Sequence, residues 1–173
     1  MAAANLLVTK GYSAASTNKI AKKAGVSIGS IYQYFSGKDG IFESIVEYEM
    51  RDTVSSLSKF PVNKNLTTEE NLEAFITSGN QSDILSGGVY VELARHRQFR
   101  HILNSFALAV QVEIAAYLRR LEIGVQEERI MEMAQMIQLT AQGLARGSGE
   151  DGAVPEKLVK EYVTMVSQYV LNG

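Results

Sequence analysis

Apolar residues recur along the chain at three- and four-residue spacing, and no stretch sustains the every-second-residue alternation of a half-buried strand, so the pattern predicts an all-α protein. Residues 2–10 read as a short helix with Leu6 and Leu7 turned inward, closed by Gly11. Ser16 suits the N-cap of a second helix over residues 17–24, in which Ile20 and Ala24 face inward together and the small Ala21 lets another helix cross closely. Gly25 supplies the positive φ of a tight turn, Val26 fills the corner, and Ser27 caps a third helix buried through Ile31 and Phe35. At about 100° per residue the opposite face of that helix centres on Gly29 and Gln33, flanked by Ser30 and Tyr32.

The longer pattern begins at Ser36-x-x-Asp39, which reads as a capping box opening a fourth helix with Ile41, Phe42, Ile45, Tyr48 and Val54 on its apolar side, running toward Phe60 and stopped by Pro61. Residues 62–66 form a polar linker, and Thr67-x-x-Glu70 is a second capping box ahead of Leu72, Phe75 and Ile76. Three Gly and two Ser in residues 79–88 predict a break, after which residues 89–97 and 99–122 read as two helices with a bend near Gln98. Over residues 127–146, Ile130, Met133, Ala134, Met136, Thr140, Ala141, Gly143, Leu144 and Ala145 lie with Ile137 in an arc of about 200°, roughly twice what a one-sided surface helix needs. Residues 147–154 form a loop and Pro155 suits a first helical position. The last helix then carries Leu158, Val159, Tyr162, Val163, Val166, Tyr169 and Val170 on one wide face. Two adjacent helices with this much apolar surface predict a four-helix interface with a second copy. Ile130, Ala134, Ile137, Ala141 and Leu144 are expected to supply it from one helix, Val159, Tyr162, Val163, Val166 and Val170 from the other. A larger intramolecular core is the competing reading.

Composition narrows the class. A hydrophobic share of 46% over 173 residues is ample for a packed core. The absence of Cys removes disulfides, thiolate chemistry and Cys-based metal sites, and suits a reducing cytoplasm. The net charge of −2 hides an asymmetry, because residues 1–40 hold five Lys and one Asp. That end can attract a polyanion while the acidic remainder limits non-specific adhesion, although an ordinary solvated face has the same composition. The first eight residues lack the basic region and cleavage site of a signal peptide. The longest apolar stretch, residues 106–118, is interrupted by Gln111 and Glu113, so no membrane span is expected and the localisation read from the sequence is cytoplasmic.

Helix, tight turn and helix, with a small, polar and aromatic face opposite an apolar one, is what a major-groove reader needs. The run GYSAASTNKIAKKAGVSIGSIYQYFSGKDGIF resembles the signature of the TetR family of transcriptional regulators, nearly every fixed position of which is occupied from Gly11 to Lys38. The resemblance covers about the first quarter of the chain; the remainder agrees in length and helical pattern, and ELARHRQFR more weakly resembles the junction of the family's sixth and seventh helices. It implies a helix-turn-helix DNA-binding domain over residues 1–40 and a ligand-binding and dimerisation domain over residues 41–173, mechanically linked by the fourth helix. By the same resemblance Thr17, Tyr32, Tyr34 and Lys38 touch DNA phosphates, with Ser27 beside them, while Asn18, Ile28, Gly29, Ser30 and Gln33 are the expected base readers. Gln33 can bond an adenine edge, Ile28 can meet a thymine methyl, and Gly29 lets the backbone come close. Tyr34 has packing as a competing role. The chain departs from the family pattern at its start, where AAANLLVTKGY follows Met1 directly and no basic arm precedes the first helix.

Other candidate chemistry is sparse. His96 and His101 stand about 140° apart around a helix and cannot pair on a metal. With Arg95, Arg97 and Arg100 they form either an anion site or a solvated bend paired with nearby acids. Phe60, Phe75, Tyr90, Phe99, Leu103, Phe106, Val110 and Tyr117 are candidates to line an apolar ligand cavity, and equally plain core. With no Gly-rich phosphate loop, nucleophile elbow or HExxH, neither an enzyme nor a cofactor is predicted. The expected partners are a palindromic double-stranded DNA operator, a small-molecule effector and a second copy of the chain, and the expected action is that of a repressor. The alternatives are a helical small-molecule-binding or interaction protein with weak DNA binding, and a ligand-independent DNA binder or activator.

Overall fold

The computed structural model describes residues 2–79, 88–146 and 154–172. Among the described residues run α1 (Ala2–Ala14), α2 (Thr17–Ala24), α3 (Ile28–Tyr34), α4 (Lys38–Ser58), α5 (Thr68–Gly79), α6 (Val89–Ala94), α7 (Arg100–Arg120), α8 (Glu127–Arg146) and α9 (Glu156–Leu171), with a 3-10 turn, Arg97–Phe99, between α6 and α7 and no strand. The break expected over residues 79–88 and the loop over 147–154 fall largely outside this set.

Two apolar clusters organise the helices. The first joins Leu7 of α1, Ile20 and Ala21 of α2, Ile31 of α3 and Ile41, Phe42 and Val46 of α4 to Tyr90 and Leu93 of α6 and to Phe99, Leu103 and Phe106. The second gathers Leu57, Leu72, Phe75 and Ile76 with Ile114, Tyr117 and Leu118 of α7 and the inner faces of α8 and α9. α7 therefore serves both clusters, packing along α4 and α8. Its residues, with the preceding turn, are long and apolar enough to cross a membrane by length and composition. Here Leu103, Phe106, Ile114, Tyr117 and Leu118 are instead spent on the two cores, each fully buried side chain worth about 1.5–3 kcal/mol.

Local chemistry sets several boundaries. Thr67 and Glu70 form the expected capping box, with Glu70 N–H donating to Thr67 Oγ1 at 3.2 Å and Thr67 N–H to Glu70 Oε2 at 2.7 Å. Buried Asn71 then holds the linker, its amide donating to the carbonyls of Asn63 and Thr67 while its oxygen accepts from Asn63 N–H at 2.8 Å. At Gly11, φ 75 and ψ 163 kink α1, so the chain continues through Tyr12 to Ala14 in a new direction.

Five local expectations change. Ala24 ends α2 on the solvent side, and Ala21 is the buried neighbour of Ile20. Val26 is 47% exposed, because the left-handed Gly25 swings it out of the corner. Gly37, not Ser36, occupies the cap of α4 without a side-chain bond, since the Asp39 carboxylate accepts from the Tyr12 hydroxyl instead. In α4 the buried line runs through Phe42, Val46, Glu49, Thr53 and Leu57, which leaves Tyr48 exposed. Pro155 caps α9 rather than entering it.

Candidate nucleic-acid interface

Two short helices and one turn build the candidate face. Ser16 has extended backbone and its side chain accepts from Lys19 N–H at 3.3 Å, satisfying an orphan donor at the start of α2. Gly25, at φ 71 and ψ 27, returns its N–H to the Ala21 and Lys22 carbonyls and ends α2. Ser27 accepts from Ser30 N–H at 3.0 Å and caps α3, with three residues between it and the end of α2. Thr17 Oγ1 and Tyr32 OH lie 3.3 Å apart, tying the first turn of α2 to the outer face of α3. Buried Ile20 and Ile31 fix the back of both helices.

The outward side of α3 presents Ile28 at 38% exposure, Tyr32 at 57% and Tyr34 at 80%, with Gly29 and Gln33 also exposed. Apart from the Tyr32 hydroxyl beside Thr17, this apolar and aromatic surface of a seven-residue helix stands open to solvent. Tyr34 does not pack into the core, so its competing structural role drops out. Asn18 is exposed and Thr17 half-buried at the start of α2. Ser27 and Ser30 hydroxyls lie 2.8 Å apart, so each is already half-engaged. A Cβ on Gly29 would meet only Ser27 Oγ, at 3.7 Å; its small size serves the outside surface, not internal packing.

The cations divide. Lys38 Nζ donates to the Tyr12 carbonyl at 3.0 Å and stands 3.8 Å from that ring's centroid, so it is partly committed inside the fold. Lys19 Nζ donates to the Ala14 carbonyl at 2.8 Å and Lys23 pairs with Asn5. Lys22 is exposed, has no polar side-chain partner among the described residues, and shares a helix face with Asn18 four residues before it. Sequence reasoning passed over it because the motif leaves its position unspecified.

Tyr12 joins this region to the rest of the molecule. Its N–H donates to Glu92 Oε1 at 2.9 Å, and its ring lies 4.4 Å from that of His96 and 5.5 Å from Phe99. Glu92 also pairs with Arg95 Nη1 at 2.9 Å and sits 3.5 Å from His96 Nε2. The Tyr12 N–H, with smaller help from His96 and Arg95, holds the Glu92 carboxyl below the usual carboxylate range despite burial. The positive φ of Gly11 favours glycine at this junction, and a Cβ there would also crowd Glu92 Oε1 at 3.3 Å.

The eight residues expected to line one cavity are divided between the two cores. Phe75 stacks on Tyr117 at 3.9 Å with Phe60 edge-on, and Tyr117 OH donates to the Asn71 carbonyl at 3.0 Å, closing that group. Phe99 and Phe106 are buried in the first cluster, and Val110 bridges both. Only Tyr90 and Leu103 line an open cleft of about 570 Å³, together with Val91, Arg95, Arg97 and Arg100.

The residues chosen for a second copy are also relocated. Ile130, Ala134, Ile137, Tyr162, Val163, Val166 and Val170 are buried within the protomer and Ala141, Leu144 and Val159 are half-buried. Periodicity located the apolar arcs, but α7 and α5 already occupy that side. The outer side carries Met136 at 47% exposure, Leu139 at 49%, Leu158 at 46% and Met165 at 48%. An apolar groove of about 120 Å³ there is lined by Met136, Thr140, Met165 and Tyr169, with the edges of Ile137 and Val166.

Comparison with known proteins places these features in context. Residues 1–45 match the family described as bacterial regulatory proteins, tetR family. The fatty acid metabolism regulator protein of Bacillus subtilis (strain 168) is 25% identical over 135 residues, spanning 76% of this chain and 68% of that protein. A TetR transcriptional regulator from Legionella pneumophila superposes with a TM-score of 0.74 at 19% identity, over 96% of this chain and 92% of that one. The fatty acid degradation regulator FadR from Bacillus halodurans superposes with a TM-score of 0.66 at 19% identity, over 99% and 92%.

Proposed function

We propose that this chain is a TetR-type transcriptional regulator, a cytoplasmic homodimeric repressor that releases a two-fold symmetric DNA operator when a small molecule binds its helical body. The observation that carries the DNA part is the open outer face of α3, where Ile28, Gly29, Tyr32, Gln33 and Tyr34 stand exposed on a helix capped and backed for rigidity. Within residues 1–40 as DNA-binding head, Asn18, Ile28, Gly29, Ser30 and Gln33 read base edges. Thr17, Ser27, Tyr32, Tyr34 and Lys38 hold phosphates, joined by Lys22. Residues 41–173 form the body, whose outer α8 and α9 faces meet a second copy around Met136, Leu139, Leu158 and Met165. The reading assigns no catalysis. Two relatives bear names tied to fatty acid metabolism or degradation, which makes compounds with an acyl chain the first effector class to screen.

Selection of binding sites from random DNA tests this directly. A two-fold symmetric site is expected, with half-sites spaced by about one helical turn or a small multiple. The affinity should fall steeply with salt, and Lys22→Ala should lower the slope of log affinity against log salt by about one. Failure to enrich any sequence would reject the reading.

A further inference from the structure

We propose that the cleft between α6 and α7 binds a phosphorylated small molecule, and that its occupation is felt at the DNA-binding head through Arg95 and Glu92. The cleft, about 570 Å³, falls in the size range of pockets that hold small organic ligands. Arg95, Arg97 and Arg100 converge on it from the end of α6, the 3-10 turn and the first residue of α7. Among the described residues Arg97 and Arg100 have no carboxylate partner, and Arg95 has one, Glu92. Two of the three guanidinium groups thus lack a carboxylate partner among the described residues, which leaves the cleft locally positive in a chain of net charge −2. The first turn of α7 carries no acidic residue, so its helix dipole adds to that charge.

The chemistry selects the ligand class. Guanidinium forks match the oxygens of a phosphoryl group with paired donors, and Asn104 lends an amide at the same cleft. Inorganic phosphate alone would leave most of the volume empty. Tyr90, Val91 and Leu103 provide an apolar wall, so the occupant is a phosphate ester whose organic part lies against them.

Arg95 gives the site its reach. Its side chain is 70% exposed yet holds Glu92 Oε2 at 2.9 Å, while Glu92 Oε1 accepts the Tyr12 N–H at 2.9 Å. An anion drawn to Arg95 competes for the group that steadies Glu92 and adds like charge beside that carboxylate, weakening the tie between α1 and α6.

Calorimetric titration of the full chain with phenyl phosphate and with inorganic phosphate, at fixed ionic strength, tests the site without DNA. Phenyl phosphate should bind saturably and more tightly than inorganic phosphate. Arg97→Gln with Arg100→Gln, both exposed, should weaken it by about tenfold or more, the loss expected for at least one charge-assisted hydrogen bond. Lys64→Gln in the linker should leave it unchanged. No saturable binding at millimolar phenyl phosphate, or binding indifferent to the double substitution, overturns the site. The second arm rests on the repressor reading: once an operator is in hand, phenyl phosphate should weaken the wild-type complex and not that of the double variant. Indifference of the wild-type complex overturns the coupling. If the double variant alone binds DNA more weakly and with a shallower salt slope, the arginines contact DNA phosphates and the proposal falls.

Discussion

Gly29 separates what folds α3 from what the helix does. A side chain there meets ordinary van der Waals space, and glycine inside a helix costs roughly 0.5–1 kcal/mol relative to alanine. Gly29→Ala should therefore raise stability by about that amount in denaturant unfolding, while weakening operator binding by about tenfold or more as the added methyl holds the backbone off a base edge. Equal operator affinity in the variant would remove Gly29 from the reading face. Tyr162 offers the opposite case, a residue wholly internal to the fold. Its hydroxyl donates to the Ile137 carbonyl at 2.9 Å, and burial pushes its pKa up to about 12. Since the folded value lies above the ordinary one of about 10, its contribution is complete below pH 10 and is lost as pH rises toward 12. Tyr162→Phe should cost about 0.5–1.5 kcal/mol at neutral pH, a gap that narrows between pH 10 and 12 when melting is followed by circular dichroism. Residues whose roles are local were legible in the sequence: Ser16, Gly25 and Ser27 act on N–H and C=O groups within four positions of themselves. Lys38 and Asp39 were not, because both answer to Tyr12, more than twenty-five positions earlier.

For whole helices the same division appears as a choice of face. The arcs of α8 and α9 were readable because an apolar period of 3.6 survives any tertiary arrangement. Which side of a wide arc meets the protomer and which meets another molecule depends on where α5 and α7 lie, and no local pattern encodes that. Ile137 and Val166 thus proved internal, while Met136, Leu139 and Met165 line the outer surface. The aromatic set misled for the same reason, since Phe75, Tyr117 and Phe60 pack on one another within the second core. Met136→Glu with Met165→Glu should convert a dimer into a monomer in sedimentation, because two charges would be buried without partners at the centre of the contact. Both side chains are about half exposed in the protomer, so its helical circular dichroism should persist. A dimer that survives both substitutions would place the interface elsewhere.

Across the whole molecule, the first cluster packs the N-terminal helices against the rest of the protein. The apolar core of α1 to α3 continues into α6 and α7, and the polar tie runs from Tyr12 through Glu92 to Arg95 and His96. On the proposed reading as a ligand-released repressor, this junction must be firm enough to hold two heads at a set spacing and weak enough for a ligand to shift, a balance of a few kcal/mol between states. A partly exposed carboxylate meets that demand better than further apolar packing would. Because Glu92 is held below the usual carboxylate range, chiefly by the Tyr12 N–H, its contribution is fully present above the unfolded value of about 4.3 and fades as pH falls through the lower folded value. Glu92→Gln keeps an acceptor oxygen and removes the charge, so it should cost about 1 kcal/mol at pH 7, near the low end for a charge-assisted bond because the group sits close to the surface. Thermal melts of both proteins from pH 7 to pH 3 should show the difference closing below about pH 4.5. Glu70, Glu127 and Glu156, whose carboxyls are also held low, are common to both proteins and cancel in the comparison. A gap of the same size at pH 3 as at pH 7 would mean that Glu92 acts by shape alone, and the ion pair with Arg95 would then have no leverage over the head.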